Sequence, residues 1–150
     1  MRNAGTFVGL LFITSFAIGC AQSTSAPTAP SGIGGSTTLT ADQLAGTWTL
    51  MSIQPAGQPE QSTPSGASYT LTFADGRLST RADCNSCGGA FALSGPTLTA
   101  GPALACTRAA CPTMQFEIVY TNLLSGDSTV ALSDQVLLLS SGRGMLRFTR

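Results

Sequence analysis

The sequence predicts an α+β domain, mostly antiparallel β, in which a curved sheet or partial barrel of about seven to eight strands carries one main helix. Three observations lead to that class. Apolar and polar residues alternate with period two through several short runs between residues 47 and 148. Turn-forming pairs such as Asp75-Gly76 and Asp134-Gln135 separate those runs. Only one stretch, about 113–125, switches to three- and four-residue spacing.

The domain begins well after residue 1. Residues 1–19 carry one Arg and then an apolar run from Thr6 to Gly19, the arrangement of a cleaved export signal. The run is short and interrupted for a membrane span. Ala17-Ile18-Gly19-Cys20 resembles a lipobox, so Cys20 is expected to carry lipid and to be the new N-terminus. Ala17 stands where Leu is usual, and an ordinary secretory signal is the alternative. Ala21, and no Asp, follows Cys20. In an organism with two membranes this favours the outer membrane, with the domain facing the periplasm. Multiple acyl chains would anchor stably, since each buried methylene contributes about 0.8 kcal/mol. Residues 20–39, rich in Ser, Thr, Ala, Pro and Gly, are a flexible tether with too little apolar surface to fold.

Residues 40–150 form the folded part. Thr40 and Gln43 have capping-box spacing, which predicts one helical turn before the strand Thr47–Ile53. Trp48 and Leu50 share a face of that strand. Tyr69, Leu71 and Phe73 alternate with smaller residues, and Asp75-Gly76 suits a two-residue hairpin loop. Closing it pairs Ala74 with Arg77, Phe73 with Leu78, Leu71 with Thr80 and Tyr69 with Ala82. Arg77, Arg81 and Asp83 then fall on the outer side. A second hairpin joins Ala90–Leu93 to Leu98–Ala100. In the helix, Phe116, Val119, Tyr120, Leu123 and Leu124 make one stripe, with Gly126 as a stop. The strands Thr129–Leu132, Val136–Leu139 and Met145–Phe148 follow. Val136–Leu139 has no polar face and is expected to be central and covered on both sides.

Five cysteines are an awkward number for an exported chain, and a lipid on Cys20 leaves four that can pair. They sit as Cys84-Asn-Ser-Cys87 and Cys106-Thr-Arg-Ala-Ala-Cys111. Export to an oxidising compartment favours disulfides over zinc, and thioredoxin-like chemistry lacks its βαβ setting. Spacing leaves all three connectivities open. A bridge over loops of this length contributes about 3–4 kcal/mol.

Charge and composition remove several functions. Lys+Arg and Asp+Glu are both 7, all the bases are Arg, and His is absent. Without a basic stripe there is no electrostatic support for nucleic acid. Without His or Lys there is no Ser-His, Cys-His or Ser-Lys pair, and no Gly-x-Ser-x-Gly elbow occurs. No spacing singles out a glycosidase pair among Asp42, Glu60, Asp75, Asp83, Glu117, Asp127 and Asp134. No cofactor or metal is expected. The most specific polar feature is Thr107-Arg108 between cysteines. Arg108 either receives an anion or pairs locally, for instance with Asp83. Asn85 is either a turn residue or a ligand contact, and Trp48 suits the core better than a binding platform.

Taken together, Leu44-Ala-Gly-Thr-Trp-Thr-Leu50, Leu71-Thr-Phe73 and Asp83-Cys-Asn85 with Gly88-Gly89 and Phe91 resemble the META/HslJ-like domain. So do Leu98-Thr-Ala-Gly-Pro-Ala-Leu104, Thr107-Arg-Ala-Ala-Cys-Pro112 and the helix with Glu117, Tyr120 and Leu123-Leu124. The resemblance runs over about residues 42–150. Asp83 departs from the usual Gly. In the common form only the Cys84- and Cys111-type positions occur, which implies Cys84–Cys111 and, for the additional pair, Cys87–Cys106. The resemblance also implies a small β-rich envelope or secreted domain. Some members are linked to heat shock, envelope stress or novobiocin resistance, and no accepted activity or ligand comes with the family. The function expected is a non-enzymatic, monomeric envelope lipoprotein, held to the membrane through Cys20. It would act as a binding or stress-protective module, with Arg108, Thr107 and Asn85 as candidate contacts to a ligand or envelope protein partner. The alternatives are an inhibitor of a secreted hydrolase and a carboxylate-based hydrolase.

Overall fold

The computed structural model describes residues 39–101 and 103–150. The expected leader, the Cys20 expected to carry lipid and the expected tether as far as residue 38 lie outside the described residues. The elements are α1 (Ala41–Leu44), β1 (Gly46–Pro55), β2 (Gln61–Ser62), β3 (Tyr69–Ala74), β4 (Arg77–Ala82), β5 (Asn85–Ser94), β6 (Thr97–Ala100), β7 (Ala105–Cys106), α2 (Met114–Leu124), β8 (Gly126–Ser133), β9 (Val136–Ser141) and β10 (Gly144–Thr149).

Eight strands pair antiparallel in the order β1-β3-β4-β5-β6-β8-β9-β10, and β10 returns to β1, so the sheet closes into a barrel. Closure satisfies backbone groups that an open sheet would leave as edges. β1 makes it possible. Its first half pairs with β3, from Gly46↔Phe73 to Thr49↔Thr70, while Thr49–Pro55 pairs with β10. The register slips between Leu50 and Ser52, a bulge that leaves Met51 half exposed and bends the strand. β2 and β7 are short additions to β1 and β5.

The hairpin β3–β4 has the register its sequence predicts, Tyr69↔Ala82 to Ala74↔Arg77, with Asp75 and Gly76 at φ 48° and 70°. Three expectations change. Asn85 is a strand residue and not a turn residue: β5 begins there, directly after a tight Asp83-Cys84 turn with Asp83 at φ 57°. Asp83 does not join Arg77 and Arg81 on the outer wall, because its carboxylate accepts a hydrogen bond from Thr113 Oγ1 at 2.7 Å. β9 is also covered on one face only. Leu137 and Leu139 are buried, while Val136 and Leu138 are half-buried, because a closed barrel gives every strand one interior face.

Side chains fill the interior. Trp48, Leu71, Phe73, Leu98, Leu137 and Phe148 are each at most 1% exposed. Burial of groups this large contributes about 1.5–3 kcal/mol each. Trp48 Nε1 donates to the Leu44 carbonyl at 2.8 Å, which ties α1 to the wall. The Arg150 guanidinium lies 4.3 Å from the Trp48 ring centre and covers it from the solvent side. α2 packs over inward-facing residues of β3, β4 and β10. Its Tyr120 ring meets Tyr69 and Phe148 edge-on, and its hydroxyl bonds with Thr80 Oγ1 at 2.6 Å.

Two predictions follow from this packing. Burial raises the ionisation of both Tyr69 and Tyr120 above the usual phenol range. Unfolded tyrosine ionises near pH ~10, so above that pH the unfolded chain holds fewer protons than the folded one. Stability is therefore full below that pH and falls as pH rises towards the folded-state values. Urea midpoints measured from pH 8 to 11 should drop, and Tyr120→Phe should flatten the drop. At Gly144, φ is 142° and an added β-carbon would run into the Gln54 carbonyl oxygen and the Pro55 backbone. Gly144→Ala should cost more than about 1 kcal/mol of unfolding free energy by urea titration, because both the dihedral and the β1–β10 spacing resist it.

Candidate functional site

The region singled out by the cysteines lies where β5, β7 and the start of α2 converge. Cys84 is bonded to Cys111 and Cys87 to Cys106. The chain between Cys106 and Cys111 is thereby held at both ends against the turn and the start of β5.

Asn85 fixes the middle of that chain. It is 2% exposed, so its amide is far from solvent and needs partners in the protein. Its Oδ1 accepts from the Ala109 N–H at 2.7 Å and from Thr107 Oγ1 at 2.9 Å. Its Nδ2 faces the Ala109 carbonyl and both oxygens of Glu117, each at 3.0 Å. Thr107 Oγ1 also accepts from the Ser86 N–H at 3.0 Å. Asn85 is thus neither an exposed turn residue nor a free ligand contact. A second set of bonds runs beside it, from Tyr69 Oη to Thr113 Oγ1 at 2.8 Å and on to Asp83. Thr113 therefore anchors the start of α2 to the β4–β5 turn and makes no side-chain cap to the helix.

Between this chain and α2 runs a cleft of about 460 Å³. One wall is Cys106 to Ala110, and the other is Met114, Ile118 and Thr121 of α2. Asn85 and Glu117 form its floor, linked to each other. A shallower hollow continues past Ile118 towards Leu104 and Ser125. Met114 and Ile118 are 39% and 55% exposed, unusual for side chains of this kind. Arg108 is exposed, and among the described residues its guanidinium has no hydrogen-bond or ion-pair partner, Asp83 included. Fixed apolar groups and an unpaired cation suit the binding of a partially apolar, anionic surface.

The structure brings Asn85, Thr107 and Arg108 together, with only Arg108 free to reach outward. Sequence reasoning left out Met114 and Ile118. Their signal was present, because Met114 and Ile118 are four residues apart and off the stripe formed by Phe116, Val119, Tyr120, Leu123 and Leu124. Glu117 is named in the sequence among the carboxylates and in the family resemblance, with no spacing that points to its contact with Asn85. Among the described residues no group of three His, Cys, Asp or Glu side chains could hold a metal ion.

Truncating Asn85 tests the role of this clasp. Asn85→Ala strands the Ala109 N–H and leaves Glu117 without its amide donor. An orphaned buried group costs about 1–3 kcal/mol. The variant should lose stability by about that amount or more, and hydrogen exchange at the Ala109 amide should accelerate more than exchange in β9.

The sequence profile of the META domain matches residues 38–150. No curated protein sequence matches the chain. A protein from Burkholderia xenovorans, solved by NMR, shares 29% identity over 73% of this chain and 85% of its own, with a TM-score of 0.61. A second NMR structure, at 24% identity, covers 74% of this chain and 94% of its own with a TM-score of 0.59, and shares the fold. From its alternating strands to its paired cysteines, this chain belongs to the META domain family.

Proposed function

We propose that this META-family protein is a lipid-anchored, non-enzymatic component of the cell envelope that works by binding another envelope protein. The surface assigned to that role is the cleft between the 106–110 chain and α2. One observation carries the reading: Met114, Ile118 and Arg108, which has no partner among the described residues, are gathered on one face of a domain whose interior is filled by side chains. Exposed apolar side chains of this size, carried on a helix beside an exposed cation, have the composition of a contact surface. The filled barrel argues against an interior ligand. The carboxylate in the cleft, Glu117, is engaged by Asn85, which weighs against a carboxylate-based hydrolase. The lipid anchor on Cys20 and the outer-membrane location come from the leader and lipobox pattern.

Two measurements on the full-length protein test this reading. Radiolabelled palmitate should enter the wild type and not Cys20→Ser. A photo-cross-linking residue at position 118 should give a discrete protein adduct in intact cells, while one at Ser79 on the outer barrel wall should not. Equal adducts from both positions, or none from either, would remove the cleft from consideration.

A further inference from the structure

We propose that the chain from Cys106 to Cys111 is a substrate mimic for a trypsin-like serine endopeptidase, with Arg108 as the residue that enters the enzyme's acidic specificity pocket. The proposal rests on the reading of this face as a binding surface and names the class of its partner.

The argument turns on which backbone groups are held and which are free. A serine endopeptidase takes a chain in extended form, as an added strand. It bonds the main chain of the residue in its pocket and that of the residue two positions earlier. The residues on either side of the pocket residue are left to their own scaffold. The Cys106–Ala110 chain has this division. Thr107 donates its N–H to the Ser86 carbonyl at 3.0 Å, and Ala109 has both its N–H and its carbonyl bound to Asn85. Among the described residues the Arg108 N–H and carbonyl have no such partner. Hydrogen-bonded and non-bonded pairs alternate in an antiparallel ladder. Because Thr107 bonds Ser86, Cys87 and Cys106 form the narrow, non-bonded pair, with α-carbons 4.0 Å apart. The N–H and carbonyl of Cys106 therefore point away from β5, on the side of β7 where no described strand pairs. Cys106 and Arg108 present free main-chain groups, and the intervening Thr107 is locked.

The side chains agree. Arg108 is exposed, permanently charged and without a partner among the described residues, as an acidic pocket requires. Ala109 and Ala110 are small and exposed, so nothing bulky stands on the leaving side. No residue from Thr107 to Ala110 has positive φ, so this chain carries no left-handed kink. Preorganisation by two disulfides and Asn85 removes the ordering cost that a flexible substrate would bear. The same restraints oppose hydrolysis. If the enzyme serine adds to the Arg108 carbonyl, the Arg108–Ala109 bond breaks and the serine proton passes to the Ala109 nitrogen. That amine remains pinned by Asn85 and Cys111, so it attacks the acyl carbon, the serine ester bond breaks, the proton returns to the serine oxygen and the peptide bond re-forms.

The test uses the mature protein with both disulfides formed, trypsin as the probe and a small chromogenic substrate. The wild type should inhibit trypsin reversibly and spare elastase. Arg108→Ala should weaken inhibition by at least about 100-fold, as expected for a central anchor residue, while Arg108→Lys retains it. Asn85→Ala should be cut between Arg108 and Ala109 faster than the wild type. Trypsin left fully active by micromolar wild type, inhibition undiminished in Arg108→Ala, or rapid cleavage of the folded wild type without inhibition would each overturn the proposal. If the position-118 adduct persists while trypsin stays active, the substrate-mimic assignment fails and the binding surface stands.

Discussion

The pairing of β1 with β10 is the constraint on which the architecture depends. The two strands are about ninety residues apart in the chain, and their ladder runs from Thr49↔Thr149 to Pro55↔Gly144. Once it forms, each of the eight barrel strands has one interior face, so each alternating run has a single allowed register. The bulge at Met51 and the glycine at position 144 serve this contact directly, one by bending β1 and the other by permitting close approach. α2 then completes the interior, because Tyr120 finds a hydroxyl partner in Thr80 as well as aromatic neighbours. A buried tyrosine lacking such a partner would be a liability.

A second, local constraint is built on top of the barrel. The chain between β7 and α2 has almost no apolar residues to bury, and hydrophobic packing cannot fix it. Two disulfides hold its ends, and Asn85 holds its middle through bonds to Thr107, Ala109 and Glu117. The result is a rigid, exposed backbone on a small domain, beside a helix that exposes Met114 and Ile118. Rigidity matters for a contact surface, since ordering loops on association lowers affinity. The proposed contact surface and the proposed substrate mimic both draw on this local order.

Much of the fold is legible in the sequence. The β3–β4 hairpin can be read residue by residue, because alternation and the Asp75-Gly76 turn point to the same register. The stripe on α2 is legible for the same reason: period and burial coincide at Tyr120, Leu123 and Leu124. β2 and β7 are not legible, since two-residue strands have no period. The start of β5 is hidden by its composition: Asn85, Ser86, Gly88 and Gly89 look like loop residues, and only pairing with β4 makes them a strand.

The candidate site divides along similar lines. Local chemistry in the sequence determined the hairpin loops, the apolar face of each long strand, the single main helix, and the prominence of Thr107-Arg108 between cysteines. Each of those depends on neighbours a few residues away. Only the tertiary structure decided that the sheet closes, that β9 is covered on one face, and that Asn85 spends its amide inside the protein while Arg108 keeps its guanidinium outside. Those outcomes depend on partners tens of residues away, and a side chain's sequence position does not say which distant backbone groups will meet it.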